Sequence, residues 1–320
     1  MPCMCTSTAC RSGAWQTWET TPPSAMRGPP SRPLSSTSTG TSTESTSPWS
    51  SSRISGARSS LPTGNTSSSR SLPTANRPER SWREGNRVKV FAIADLHLSF
   101  GADKPMDIFG AHWENHAERL KTAWLEEVCE GDLVLIPGDI SWSLKLEEAR
   151  KDLDFIGELP GTKVIMRGNH DYWWSSLSKL NAVVHESIVP LQNTALVFGD
   201  IAVAGSRLWL DPDLRLEDIT PADKKIWERE LHRFSLSLKA LPERPGTRII
   251  MTHYPPISLD GKPGRAVQIA RKYHCHTWVF GHMHLGDVDY RGFNCTIDGT
   301  RFVFVSSDFL DFRPRLIVDE

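Results

Sequence analysis

Residues 164–171 read VIMRGNHD, and the fold is predicted from this segment outward. The segment begins with apolar residues, and after Gly168 it continues with side chains that can bind a metal ion. An apolar run of this length bounded by glycine is typical of a buried β-strand. Four other segments also consist of an apolar run followed by a residue that can bind a metal ion. They are VKVFAIADLH at 88–97, LVLIPGD at 133–139, IIMTH at 249–253 and TWVFGHMH at 277–284. The sequence therefore predicts five buried strands that each end in metal-capable residues.

Helical periodicity occurs between and after these strands. Apolar residues recur every three or four positions in three segments, 117–128, 146–156 and 220–241. Two hairpins are predicted, at 195–204 and 295–305, because each contains a Gly-Asp or Asp-Gly turn between apolar runs. Strands that alternate with helices and are joined by antiparallel hairpins indicate an α/β fold with mixed sheets and helices outside.

Residues 1–86 differ in composition from the remainder. Ser and Thr account for 23 of the 40 residues in 31–70, and the whole segment carries nine Arg, no Lys and four acidic residues. Such a stretch cannot bury enough apolar surface to offset the entropy of ordering it, so we expect it to be disordered. We interpret it as an extension outside the native gene product, with a Ser- and Arg-rich targeting peptide as the alternative. Residues 87–320 suffice for one α/β domain.

Charge and composition of residues 87–320 narrow the class of protein. This part holds 28 of the 37 basic and 34 of the 38 acidic residues, a net charge of −6. That balance argues against nucleic acid as the main partner, because a phosphate backbone requires a basic surface. No apolar run approaches the length of a membrane helix, and the cysteines form no disulfide framework. We therefore expect a cytoplasmic protein with reduced thiols and no membrane segment.

Polar side chains that follow parallel strands meet at one edge when the strands lie side by side. Seven such side chains form a mixed nitrogen and oxygen set: Asp95, His97, Asp139, Asn169, His253, His282 and His284. This mixture suits Mn, Fe or Zn rather than Ca or Mg, which prefer oxygen alone. Seven ligands exceed what one ion with an open position takes, whereas two ions sharing a carboxylate would use them all. We therefore predict a site for two divalent or trivalent transition-metal ions.

Each motif alone has a simpler interpretation. Asp-x-His often ends a strand, Gly-Asp is a common turn, and a single histidine such as His253 usually packs in a loop. Gly-His-x-His at 281–284 and Gly-Asn-His-Asp at 168–171 are more specific. The five motifs together, in this order, favour the metal site.

This ordered set resembles the calcineurin-like metallophosphoesterase superfamily. The resemblance covers 88–307, and the residues at 138–142 and 168–174 are similar to a bacterial branch of predicted phosphohydrolases. It implies a four-layer αββα sandwich, in which two mixed β-sheets face each other and helices cover both outer sides. It also implies that one ion is bound by Asp95, His97 and His284, that the other is bound by Asn169, His253 and His282, and that Asp139 bridges them.

The activity expected of such a site is hydrolysis of a phosphate mono- or diester of a small molecule. Two cations would acidify a bridging water to hydroxide and neutralise the phosphoryl oxygens. His170 lies next to a ligand without being needed as one, so it is the candidate to protonate the leaving group or stabilise charge. Many superfamily members carry an acid at the position of Trp142 that orients this histidine, and Asp171 is the candidate to replace it.

Two other functions stay open on the sequence. A nuclease of the same superfamily is disfavoured by the net charge of −6 in residues 87–320. A non-catalytic scaffold on this fold is disfavoured because degenerate scaffolds lose ligands, whereas every expected ligand is present. A small phosphorylated molecule is thus the expected substrate.

Overall fold

Two β-sheets form the centre of the computed structural model, which describes residues 88–214, 218–243, 246–286 and 288–319. The predicted extension at 1–86 lies outside the described residues. Within them, a five-stranded sheet has the order β11-β1-β2-β3-β4. Its strands are β1 (Lys89–Ala92), β2 (Leu133–Ile136), β3 (Thr162–Ile165), β4 (Ile188–Pro190) and β11 (Arg315–Asp319). Only the pairing of β1 with β11 is antiparallel, so β1 to β4 run in one direction.

The second sheet has six strands in the order β5-β6-β7-β8-β10-β9 within the described residues. They are β5 (Ala195–Phe198), β6 (Ile201–Ser206), β7 (Thr247–Thr252), β8 (Thr277–Phe280), β9 (Thr296–Ile297) and β10 (Thr300–Phe304). Strands β6, β7, β8 and β10 are parallel neighbours, and each hairpin partner, β5 or β9, pairs antiparallel at an edge. Both predicted hairpins are thereby confirmed.

The helices cover the outer faces of the two sheets. They are α1 (His116–Glu127), α2 (Leu146–Glu158), α3 (Leu177–Val183), α4 (Pro221–Lys239) and α5 (Arg265–Ala270). The first three contribute buried side chains to the core outside the five-stranded sheet, and α4 and α5 contribute to the core outside the six-stranded sheet. The three predicted helices correspond to α1, α2 and α4.

Successive side chains of a strand point to opposite faces of its sheet, and this alternation divides the core into layers. In β1, Val90 and Ala92 face the second sheet, while Phe91 packs under the helices, because successive side chains point to opposite faces. Both kinds of position are buried, which explains why the parallel strands have continuous apolar sequences. Each fully buried aliphatic or aromatic side chain contributes about 1.5–3 kcal/mol. The expected four-layer arrangement of two mixed sheets between helices is confirmed.

The carboxyl ends of β1 and β10 join the two sheets. Ala94 pairs in parallel with Ser306, and its backbone nitrogen donates to the carbonyl of Val305 at 2.7 Å. The strands with metal-capable ends therefore do not all lie in one sheet: β1, β2 and β3 belong to the first, and β7 and β8 to the second. Their ends meet across this junction.

Helix α4 is the longest helix within the described part of the chain and is well capped. The hydroxyl of Thr220 accepts from the backbone nitrogen of Asp223 at 3.2 Å, and the Asp223 carboxylate accepts from the backbone nitrogen of Thr220 at 2.9 Å. Pro221 occupies the first turn, where its missing N–H is not needed. Among the described residues, no helix combines the length and apolar character required to cross a membrane.

Candidate metal centre

The predicted ligands come together at the carboxyl ends of the parallel strands. The ligand atoms form two groups, and within each group they all lie within 4.8 Å of one another. One group consists of Asp95, His97 and His284, and the other of Asp139, His253 and His282. Loops after β1, β2, β7 and β8 carry these residues, and the loop after β3 carries Asn169. Segments up to about two hundred residues apart in sequence thus meet in one place.

The first group contains a buried oxygen with no hydrogen-bonding partner. The imidazole Nε2 atoms of His97 and His284 face each other at 3.1 Å. Asp95 is fully buried, and its Oδ2 accepts from Ser306 Oγ at 2.7 Å and from the His282 backbone nitrogen at 2.9 Å. Its Oδ1 is buried without a hydrogen bond. A buried carboxylate oxygen requires a partner, and a cation held with two imidazoles would supply one.

The second group includes Asn169. The Oδ1 atom of Asn169 lies 2.6 Å from His253 Nε2 and 3.0 Å from His282 Nδ1. The other ring nitrogen of His253, Nδ1, lies 2.9 Å from the carbonyl oxygen of Pro137. That contact requires a proton on Nδ1, which leaves the Nε2 lone pair directed at the cluster, as a metal ligand requires.

Asp139, a member of the second group, also faces the first. Its Oδ1 accepts from the backbone nitrogen of His170 at 2.9 Å. Its Oδ2 is 3.9 Å from Nε2 of His97 and 3.5 Å from Nε2 of His253. One oxygen therefore faces both histidine sets, which is the geometry that a bridging carboxylate needs.

Backbone conformations at this site are unusual for their residue types. Asp95, His97, Asp139 and His282 all have positive φ, between 46° and 76°, and each such non-glycine residue costs on the order of 1–3 kcal/mol. Glycines allow the loops to approach: a Cβ on Gly168 would overlap Asp139 Oδ1. Strain concentrated at four of the seven candidate ligands is typical of a functional site.

Burial controls the protonation of the cluster. Burial, followed by the carboxylates of Asp171 and Asp95, raises the pKa of Asp139 well above its usual value. Burial also raises the pKa of Asp95 to about 6. The pKa of His97 and that of His253 are lowered, mainly by burial. The lowered pKa values favour neutral imidazoles at His97 and His253, and neutral imidazoles beside buried carboxylates are donors that a transition-metal cation requires.

His170 lies in an aromatic and cationic environment. The ring of Trp142 is 4.4 Å from His170 and stacks on His97 at 4.7 Å. The Nζ atom of Lys104 lies 3.0 Å from the centre of the Trp142 ring. Burial, then His282 and Lys104, lowers the pKa of His170 to about 3. This shift favours a neutral imidazole, which can donate a hydrogen bond.

Asp171 performs a different task from the orientation of His170 expected above. Its carboxylate is fully buried and accepts from the backbone nitrogens of Asp139, Ile140 and Gly168 at 2.7–2.9 Å. Trp173 Nε1 donates to it at 3.0 Å. No hydrogen bond joins the two side chains of Asp171 and His170. Asp171 ties the loop after β2 to the loop after β3, and packing against Trp142 positions His170 instead.

Asp308 is a functional candidate that the sequence interpretation missed. Its Oδ2 lies 3.3 Å from His284 Nδ1 and accepts from the backbone nitrogen of Leu285 at 2.7 Å. Burial lowers the pKa of His284, but Asp308, Asp95 and Asp139 outweigh it and raise that pKa to about 9. Asp308 follows the apolar strand β10, so the pattern of an apolar run and then a metal-capable residue was present here too.

Replacing Asp308 with asparagine should weaken metal binding. The carboxylate orients the imidazole of His284 and raises its basicity, and loss of such a partner typically lowers metal affinity about 10–100-fold. Titration of the chelator-treated protein with Zn or Mn would measure the change. An Asp311→Asn variant, altered at an exposed carboxylate three residues away, should retain wild-type affinity. Equal affinities for the two variants would contradict the role assigned to Asp308.

Comparison with known proteins identifies one family. Residues 88–286 match the model of the family described as calcineurin-like phosphoesterase. No curated protein matches the chain.

The solved structures that match this chain have low sequence identity to it. A protein of unknown function from Aquifex aeolicus is 15% identical, with 72% of this chain and 95% of that chain covered and a TM-score of 0.40. The phosphopantetheinyl hydrolase of Mycobacterium tuberculosis is 13% identical, with 73% of this chain and 97% of that chain covered and a TM-score of 0.45. An inner-membrane-complex anchor of Plasmodium is 14% identical, with 69% of this chain and 72% of that chain covered and a TM-score of 0.41.

Proposed function

Because the chain belongs to the calcineurin-like phosphoesterase family, we propose that it hydrolyses phosphate mono- or diesters of a small molecule with the help of two metal ions. Family membership and the two ligand clusters support a metal-dependent phosphoesterase in general. The number of ions, the role of each residue and the class of ester are our proposal.

The position of Asp139 carries this proposal. A carboxylate oxygen 3.9 Å from one histidine set and 3.5 Å from the other supports two ions rather than one. We assign Asp95, His97 and His284 to the first ion and Asn169, His253 and His282 to the second, with Asp139 shared. The mixed nitrogen and oxygen donors favour Mn, Fe or Zn.

Residues of this chain hold the substrate and stabilise charge around that pair. When bound, two cations would supply an acidified water and a counter-charge for the phosphoryl oxygens. His170, held neutral, donates a hydrogen bond to the oxygen on which charge develops. Lys104 supplies a positive charge close to Asp139 and His170, since Asp139 raises the pKa of Lys104 and Lys104 lowers that of His170. Asp171 keeps the two ligand loops together.

The decisive experiment is a substrate screen with defined metals. The full chain would be treated with a chelator, reloaded separately with Mn, Fe or Zn, and assayed on phosphomonoesters, phosphodiesters, nucleotides, plasmid DNA and single-stranded DNA. We expect hydrolysis of small esters that depends on reloading. Digestion of DNA in preference to small esters would favour a nuclease, and a metal-loaded protein inert towards all of them would favour a non-catalytic scaffold.

Replacing Lys104 with glutamine should raise KM for a phosphoester about tenfold. The reason is that one charged contact with a phosphoryl oxygen is worth about 1.5–3 kcal/mol. Lys104 is partly buried, and burial lowers its pKa while Asp139 raises it. Steady-state kinetics would test this, with Lys121→Gln as the control because Lys121 is exposed on α1. An unchanged KM in the Lys104 variant would contradict the contact.

A further inference from the structure

A cavity of about 140 Å³ adjoins the metal centre, and arginines line it. Arg167 lies two residues before the candidate ligand Asn169. The carbonyl oxygen of Arg207 accepts from the backbone nitrogen of His253 at 3.2 Å. Arg233, on α4, completes the set of guanidinium groups, and we call this cavity the arginine pocket.

The arginine pocket has an unbalanced positive charge. It contains one carboxylate, Glu230, whose Oε1 lies 3.1 Å from Arg207 and 2.8 Å from Arg233. Arg167 makes no hydrogen bond or ion pair with any residue in the described part of the chain. Glu230 is the one carboxylate that lines the pocket, and beyond the lining Asp171 also acts on the pKa of Arg167.

Two of these arginines have buried donors without partners. The Nε atoms of Arg167 and Arg207 are both buried and lack a hydrogen bond. The Arg207 side chain is only 10% exposed. A charged group at this depth requires counter-charge and hydrogen-bond acceptors, and the protein supplies only part of them. An anion in the pocket would provide both.

Aromatic rings form a continuous connection from the metal centre to the arginine pocket. The ring of His282 is 3.9 Å from Tyr254, which is 4.8 Å from Trp209, which in turn is 4.7 Å from the guanidinium carbon of Arg207. Arg207 is also close enough to contribute to the lowered pKa of His253. Tyr254 is buried, so these rings connect the two sites by packing in the protein interior, and they show that the pocket and the metal centre are neighbours.

The pocket is held in place by contacts between β6 and α4. Ser237 Oγ accepts from the backbone nitrogen of Gly205 at 2.8 Å, and Ser206 Oγ donates to the carbonyl oxygen of Glu230 at 3.2 Å. These bonds fix the helix turn that carries Glu230 and Arg233 against the strand end that carries Arg207. The guanidinium groups are therefore already arranged before a ligand arrives, which favours binding.

We propose that the arginine pocket binds a second anionic group of the substrate, so that the preferred substrate is a phosphate ester whose alcohol part ends in a phosphate or a carboxylate. This inference rests on the proposed phosphoesterase function. Guanidinium groups pair with both kinds of anion through charge-assisted hydrogen bonds. The scissile phosphate lies at the metal centre, and the second anion determines which ester is preferred.

A matched series of esters tests the proposal on the metal-loaded full chain. The alkanediol monophosphates from propanediol to octanediol would be compared with the corresponding bisphosphates and with phosphorylated hydroxyalkanoates. At the spacer length that fits, we expect KM for the doubly anionic ester to be about tenfold or more below that of the monophosphate. The two kinds of doubly anionic ester distinguish a phosphate from a carboxylate preference.

Variants on α4 separate the pocket from general effects of charge. Arg233→Gln should abolish the KM difference, and it leaves Glu230 paired with Arg207, so the protein keeps its buried ion pair. Lys225→Gln removes one positive charge from an exposed position of the same helix that does not line the pocket, so the KM difference should persist.

The outcomes distinguish the two proposals. Equal KM values for singly and doubly anionic esters in the wild-type protein, or a preference that survives in Arg233→Gln, would overturn the pocket while leaving phosphoester hydrolysis intact. Hydrolysis of none of the esters would refute the proposed function and the pocket with it.

Discussion

Replacing Asp139 with asparagine is expected to abolish phosphoester hydrolysis and to lower the metal content of the protein. The carboxylate oxygen Oδ2 lies within 3.9 Å of His97 and 3.5 Å of His253, so the substitution removes the one charge that both candidate ion sites share. An amide keeps the shape but is a weaker, neutral ligand. We expect kcat/KM to fall by about a thousandfold or more.

Metal analysis and calorimetry would check this result together. The variant should retain fewer ions per chain after dialysis, and its thermal unfolding should no longer respond to added Mn or Zn. Asp154→Asn is a suitable control, because Asp154 is an exposed carboxylate on α2 that pairs with Arg150. If the Asp139 variant kept two ions and its activity, Asp139 would not be a bridging ligand and the dinuclear proposal would fail.

Replacing His170 with alanine is expected to reduce turnover by two or more orders of magnitude while metal content stays the same. Its imidazole lies beside the ligand rings, 5.8 Å from that of His97, but belongs to neither ligand group. Loss of a hydrogen-bond donor aimed at developing charge typically costs about a hundred- to a thousandfold in kcat. Wild-type turnover of a phenyl phosphate by the variant would contradict this role.

The pKa of His170 predicts how turnover depends on pH, and how the loss of turnover in His170→Ala depends on the leaving group. Because that pKa is lowered to about 3, His170 is neutral at pH 7, and kcat should not decline as pH rises through about 6.5, where an ordinary histidine loses its proton. The factor lost in His170→Ala should also be similar for nitrophenyl and alkyl esters. A much larger loss with alkyl esters, whose leaving groups need a proton, would indicate a general acid instead. His232→Ala, at an exposed position of α4, is the control.

The outcome at Asp171 illustrates a limit of motif-based interpretation. The motif at 168–171 placed an acid next to His170, and adjacency suggested that the acid orients the imidazole. Consecutive side chains diverge, however, and the Asp171 carboxylate turns inward to accept from the loop after β2. The ring of Trp142 lies 4.4 Å from the His170 ring. Aromatic packing thus replaces a hydrogen bond as the means of positioning.

Local sequence patterns were enough to predict the types of the main elements and the identity of the candidate ligands. Both are local properties: an apolar run identifies a buried strand, and the residue that ends the run brings its own chemistry. The strands β1, β2, β3, β7 and β8 and the helices α1, α2 and α4 were accordingly predicted from periodicity. Asp308 obeyed the same pattern and could have been found with it.

Which side chains face one another could be read only from the packing of the folded chain. This packing divided the strands between two sheets, directed one oxygen of Asp139 at both histidine groups, and assembled the arginine pocket from Arg167, Arg207 and Arg233, which lie on three different elements. The physical reason is that side-chain direction and charge balance depend on packing between segments far apart in the chain. No local sequence pattern predicts that the guanidinium group of Arg233 on α4 lies close to that of Arg207 at the end of β6.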